Sequence, residues 1–316
     1  MEFGLHYWVG FLAFVVAIIL YDLIKLHRGS NELSLRSASI MTGIWVLIAL
    51  LFGIIIYFSH GRVKALEFIT GYIVELTLSV DNIFVFLIIF IYFKIPKQYQ
   101  YRVLFWGIIG AIVMRFAMII GGIYILKKFE WIFYLFGAFL IISAVKISVM
   151  DLNGNFKSNS DGVVTKILKR FNRITAKFHG DKFFVFEKGR LKITPLFIAL
   201  VAVEKTDLIF AMDSIPAILA ITQDKFIVFA SNILAILGLR SLYFLIENLI
   251  LSFKYLKYGI ALILMFIGIK MILSLQGVHI SVEYSLLIIF SIISTCGIAS
   301  WYLTKDNYPK KAIAKD

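Results

Sequence analysis

Residues 66–93 read LEFITGYIVELTLSVDNIFVFLIIFIYF. The run exceeds the ~20 apolar residues that cross a ~30 Å hydrocarbon core, so it reads as a membrane span. Midway along it sit Glu75, Ser79, Asp81 and Asn82. An ionised acid at the bilayer centre costs roughly 2.5–3.5 kcal/mol, and acids kept there mark ion pathways and binding sites. Glu75 and Asn82 share a helix face, with Ser79 between them and Asp81 one position round.

The rest of the chain agrees with this span. Its 316 residues are 61% hydrophobic, with a mean hydropathy of +0.92. Soluble domains run nearer half apolar, so a soluble globule is excluded. Apolar runs divide the chain into spans at 3–25, 38–58, 66–93, 102–126, 131–149, 194–222, 226–250, 255–275 and 283–303. The expected fold is an all-α polytopic membrane protein of about nine transmembrane helices. Residues 3–24 lack a small-residue cleavage site and are read as the first span.

The net charge of +13 does not indicate nucleic acid, because the bases fall between spans. Topology and anionic lipid account for them. With the N-terminus outside, inner segments hold 22 Lys/Arg and outer segments five, which selects N-out, C-in. The single cysteine, Cys296, lies within a span. It reads as a small packed hydrophobe and excludes an internal disulfide, a thiolate zinc site or a dithiol redox motif.

Residues 1–65 form two N-terminal spans, and 150–193 the largest segment outside the membrane. Within that segment Val164, Ile167, Leu168, Phe171, Ile174 and Phe178 recur at helical spacing. Lys166, Lys169, Arg170, Arg173 and Lys177 take the other face. This predicts a basic amphipathic helix on anionic lipid of the cytoplasmic leaflet. A plain charged linker is the simpler alternative.

An internal repeat organises the remainder. Residues 75–83 (ELTLSVDNI) and 207–215 (DLIFAMDSI) both read as an acid, five residues, then Asp, Asn or Ser, and Ile. The next spans carry Arg115 and Arg240 near their centres, and those after them end in Lys146 and Lys270. Spans three to five (66–149) thus recur as spans six to eight (194–275), leaving 276–316 as a last span and basic tail. An odd number of spans per copy inverts the second copy. Inverted repeats underlie many secondary transporters, with the substrate site at the repeat interface near the midplane.

In the second copy Glu204, Asp207 and Ser214 form the matching stripe, with Asp213 beside it. Pro216 cannot donate to the carbonyl of Met212, which bares a backbone oxygen next to Asp213. The candidate metal ligands are therefore Glu75, Asp81, Asn82, Glu204, Asp207 and Asp213, with Ser79, Met212, Ser214 and Pro216 in support. His6, His27, His60, His179 and His279 all fall at or beyond span ends. An oxygen-only set suits Mg²⁺, Ca²⁺ or Mn²⁺ rather than copper or zinc. The alternative is that the acids pair with Arg115, Arg240 or Lys205 as interhelical glue, and a structural role is the preferred reading for the two arginines themselves.

At ELTLSVDN (75–82), EKTDLIFAMDSIPAILAIT (204–222), SNILAILGLRSLYFL (231–245) and FHGDKFF (178–184) the chain resembles the TerC family of bacterial membrane proteins. Within it the likeness is to the Alx-type manganese exporters, and it covers nearly the whole chain. The resemblance implies Mn²⁺ efflux across the bacterial inner membrane by inverted three-helix repeats, with the six acid and amide positions above as its site. It does not imply a tellurium substrate. Mn²⁺ enters as transported cargo, with no permanently bound cofactor.

The chain lacks GxGD, HExxH and GxSxG motifs, so no enzyme is expected. The absence of a GxxxxGK[ST] loop points to an ion gradient as driving force. Proton antiport is chemically permitted, since desolvation raises carboxylate pKa values and lets protons compete with metal. The alternatives are an amino-acid exporter and a non-transporting assembly or stress factor.

Overall fold

The computed structural model describes residues 3–27, 34–121, 131–149, 174–175, 178–187, 189–219, 221–251, 256–278 and 280–304. Its helices are α1 (Leu5–His27), α2 (Leu35–Tyr92), α3 (Lys97–Gly121), α4 (Trp131–Val149), α5 (Pro195–Leu219), α6 (Lys225–Leu251), α7 (Leu256–Leu275) and α8 (Val282–Thr304). Helix is what hydrocarbon demands, because each backbone donor and acceptor must be satisfied within its own segment. The bounds follow the expected spans closely, except that α3 begins at Lys97, directly after Pro96.

Among the described residues, α1, α2, α3 and α6 hold stretches long and apolar enough to cross a membrane, and α7 and α8 hold shorter ones. Helix α5 carries Glu204, Lys205, Asp207 and Asp213 within 25 residues, too many charges for a plain lipid-facing span.

Helix α2 has 58 residues. Straight, it would reach about 87 Å, nearly three membrane cores. It does not run straight. Gly61 adopts φ 87° and ψ 175°, a left-handed conformation that glycine enters without a Cβ clash. The Phe52 and Phe68 rings lie 5.3 Å apart, where a straight helix would set them about 24 Å apart. A Cβ on Gly53 would come within 2.6 Å of Ile69, so the two arms pack closely. The second and third expected spans are therefore one helical hairpin. The linker expected at 59–65 reduces to a single glycine break.

The chain forms two compact units, residues 1–129 with 151–244, and residues 130–150 with 245–316. In the first, α6 is the central helix. Its apolar stretch is 94% buried, whereas that of α1 is 17% buried. Phe226 and Phe229 of α6 meet Phe3, Phe11 and Trp8 from α1 and its lead-in, with Phe3 and Phe226 stacked at 4.5 Å. Helices α3 and α5 pack on each other, as do α2 and α5. Leu47, Ile54 and Phe58 on the first arm of α2 stay exposed, as lipid-facing side chains do. In the second unit α4 and α7 cross at glycines. A Cβ on Gly137 would lie 2.8 Å from the Gly268 carbonyl, and the reverse holds equally. Small residues permit this close backbone approach.

The 150–193 segment departs from expectation. Of the predicted amphipathic helix, residues 164–173 and 176–177 lie outside the described residues. Ile174 is extended, bridging Ile193. Beyond it, β1 (Phe184–Glu187) and β2 (Arg190–Ile193) form an antiparallel hairpin that the linker reading missed. FVFE and RLKI flank a tight turn in which Gly189 has φ 73°, the kind of turn that favours glycine. Arg102, in the first turns of α3, pairs with Asp181 and lies over the Phe183 ring. That contact gives the 178–184 motif a structural role. Thr194 and Pro195 then open α5, with proline at the first helical position, where no donor is needed.

Candidate cation site

Four helices of the first unit bring polar side chains to one buried point. Glu75 comes from the second arm of α2, Arg115 from α3, Asp207 and Ser214 from α5, and Asn232 from α6. Glu75 and Arg115 are each 1% exposed, Asp207 3% and Asn232 0%, so water screens none of their charge. The Arg115 guanidinium is the hub. Its Nε and Nη2 donate to the two Asp207 oxygens at 3.3 and 3.1 Å. Its Nη1 donates to Glu75 Oε1 and Asn232 Oδ1, with Ser214 Oγ at 3.5 Å. Asn232 Nδ2 closes the ring by donating to Glu75 Oε2 at 3.2 Å.

Two carboxylates face one guanidinium, so the cluster carries a formal charge of −1 in a dry setting. A buried ion group is tolerable only when paired and hydrogen-bonded, and Arg115 supplies that condition here. The residual charge favours a proton or a cation nearby. Asp207 and Arg240 also line a cavity of about 10 Å³, bounded by Gly107 and Ala111 of α3, which is room for one water.

The stripe on α2 is only partly satisfied. Among the described residues, the buried Ser79 Oγ, Asn82 Oδ1 and Tyr72 Oη have no hydrogen-bond partner. Spacings of three, four and three place Tyr72, Glu75, Ser79 and Asn82 on one helix face. Native proteins leave few buried polar atoms unpaired, and each such atom calls for a reason.

Of the expected ligands, Glu75 and Asp207 meet at Arg115. Asp81 is buried at 5% exposure on the same arm of α2. Glu204 is half-buried against α3, and a Cβ on Gly110 would land on its carboxylate. Met212 packs against the apolar core. The side chains of Asp213 and Pro216 lie outside the described residues, although α5 remains helical through both positions. Among the described residues no three His, Cys, Asp or Glu side chains close on one point. Glu75 and Asp207 thus have the arginine partner that the glue alternative foresaw.

The two arginines, paired in the sequence as repeat landmarks, differ in their partners. Arg240 bonds Asp22 of α1 at 2.7 Å and lies over the Tyr101 ring at 4.4 Å, and its Nη1 has no partner among the described residues. Lys205 is exposed and forms no ion pair with either cluster among the described residues. Two residues escaped the sequence reading, Asn232 and Asp22. Asn232 stands beside Ser231 in the span that carries Arg240, and Asp22 lies three residues before Lys25 near the end of the first span; a polar side chain inside an apolar run was the available signal.

Comparison with known proteins places these residues in context. Residues 60–308 match the model of the integral membrane protein TerC family. A Myxococcus xanthus protein named "Uncharacterized membrane protein STKORF319" is 44% identical over 294 residues, covering 93% of this chain and 91% of its own. The Escherichia coli K12 protein named "Putative membrane-bound redox modulator Alx" is 40% identical over 304 residues, covering 93% of this chain and 94% of its own. A Photorhabdus laumondii protein of the same name is 40% identical over 307 residues. No solved structure matches. With the family model spanning residues 60–308 and relatives aligned along almost its whole length, the chain belongs to the TerC family of integral membrane proteins.

Proposed function

We propose that this protein is a secondary transporter that exports a divalent metal cation, with Mn²⁺ as the cargo, and carries out no covalent chemistry. One observation carries the reading. Glu75 and Asp207, drawn from the two copies of the acidic motif, converge on a single positive charge deep inside the helices. Among the described residues the other groups at that point are the Asn232 amide oxygen and the Ser214 hydroxyl. Such a set suits a hard cation. The choice of Mn²⁺ within that class comes from the family resemblance.

The two motifs belong to inverted repeats, residues 66–149 and 194–275, so the converging carboxylates sit where such transporters hold their substrate. Protons serve as counter-ion, since the net −1 cluster needs neutralising when cargo leaves. The protein lies in the cytoplasmic membrane with its N-terminus outside, and the basic 150–193 segment faces anionic lipid. The relatives' name, redox modulator, fits cation chemistry better than thiol chemistry in this chain, because its one cysteine cannot form an internal disulfide.

Inside-out vesicles loaded with a fluorescent metal reporter test the reading. Mn²⁺ uptake should exceed Mg²⁺ and Ca²⁺ uptake and collapse when the proton gradient is removed. No uptake of any of the three would favour the assembly-factor alternative.

A further inference from the structure

Arg115 holds the oxygens that a cation would need. Its guanidinium occupies one oxygen of Glu75, both oxygens of Asp207 and the Asn232 carbonyl, at 1% exposure. On the same face of α2, the buried Ser79 Oγ and Asn82 Oδ1 have no hydrogen-bond partner among the described residues. Satisfied oxygens at the arginine and unsatisfied oxygens one and two turns along are what an exchangeable cation site would contain. We infer that Arg115 is a tethered internal cation that competes with the transported cation for Glu75 and Asp207, so that cargo binding displaces the guanidinium and its return expels the cargo.

The inference rests on the cation-transport reading and deepens it. The charge balance explains why exchange is required. With the arginine seated, the cluster is at −1; a divalent ion added on top would leave +1 in an apolar interior. With the guanidinium moved off, a divalent ion on two carboxylates is neutral. Two like charges at one dry point repel strongly, so occupancy by one excludes the other. Arginine suits the role because it stays protonated and its planar fork matches carboxylates, so the same group reseats after each cycle.

Purified protein in detergent, with Mn²⁺ as the probe, tests this through Arg115→Gln and Arg115→Lys. Mn²⁺ binding is read by thermal stabilisation, and Mn²⁺ flux is measured in proteoliposomes. Arg115→Gln removes the competitor while keeping polar reach. It should melt below the parent without metal, show a larger Mn²⁺-induced rise, bind at least ~10-fold more tightly, and lose net transport. Arg115→Lys keeps a charge with fewer directed hydrogen bonds. It should bind about 3-fold more tightly than the parent and retain measurable flux. If Arg115→Gln does not fold, the lysine variant decides. Binding no tighter than the parent in the variants that fold, or parental flux in Arg115→Gln, overturns the exchange role while leaving cation transport standing. If the parent itself neither binds nor carries Mn²⁺, both readings fall.

Discussion

The Asp22–Arg240 pair gives the sharpest stability prediction. Asp22 is 9% exposed and Arg240 3%, with Nη2 and Oδ2 2.7 Å apart. At an effective dielectric of 20 the Coulomb attraction at that distance is about 6 kcal/mol. Desolvation offsets much of it. Removing one partner of a buried pair nevertheless costs about 3–5 kcal/mol, because the survivor stays charged and uncompensated. Asp22→Asn should sit at the upper end. Among the described residues Arg240 Nη1 has no partner, so no second acceptor stands ready there, and the Tyr101 face offsets only ~2 kcal/mol. The double variant Asp22→Leu with Arg240→Met removes both charges and should return to within about 1 kcal/mol of the parent. Unfolding in mixed detergent–SDS micelles measures all three. An Asp22→Asn variant within about 0.5 kcal/mol of the parent, or a double variant worse than the single, would refute the pairing argument.

Three further outcomes follow from named residues. Gly110→Ala improves helix propensity by roughly 0.5–1 kcal/mol yet sets a methyl on the Glu204 carboxylate, so the protein should remain abundant while Mn²⁺ flux falls about 10-fold or more; parental flux would show that Glu204 moves freely. Pro216→Ala should restore the bond to the Met212 carbonyl, gain up to ~3 kcal/mol of helix stability and impair flux, and normal flux would remove that carbonyl from the site. A C-terminal green fluorescent fusion should glow and a C-terminal alkaline phosphatase fusion stay inactive, whereas strong phosphatase activity would reverse the assigned topology.

Apolar run length located the helices well, because hydrocarbon admits only satisfied backbone and so ties helix length to membrane thickness. The reading failed where that rule does not reach. The apolar runs at 38–58 and 66–93 already placed a break between the two arms of α2, but that it narrows to Gly61 alone is legible only from its φ. The hairpin at 184–193 falls in the segment read as lying between spans, where two four-residue strands were hidden among basic residues read for charge. For the site, the acids at 75 and 207 were found because charge inside a span is costly. Their partner was not fixed by sequence, since Arg115 and Arg240 sit at similar depths and only packing assigns Asp207 to one and Asp22 to the other. Asn232 was overlooked because an uncharged amide carries a weaker penalty than an acid.

The central claim is that Glu75 and Asp207 together hold the transported cation. Electron paramagnetic resonance of Mn²⁺ titrated into the purified protein measures this directly, because the six-line signal of free ion is lost on binding. The parent should show saturable loss of signal. Glu75→Gln and Asp207→Asn should each weaken binding by about 100-fold. Glu67→Gln, whose carboxylate instead bonds Lys64 and Thr222 at 2.9 and 2.6 Å, should bind as the parent does. Parental Mn²⁺ binding in both Glu75→Gln and Asp207→Asn would contradict the account.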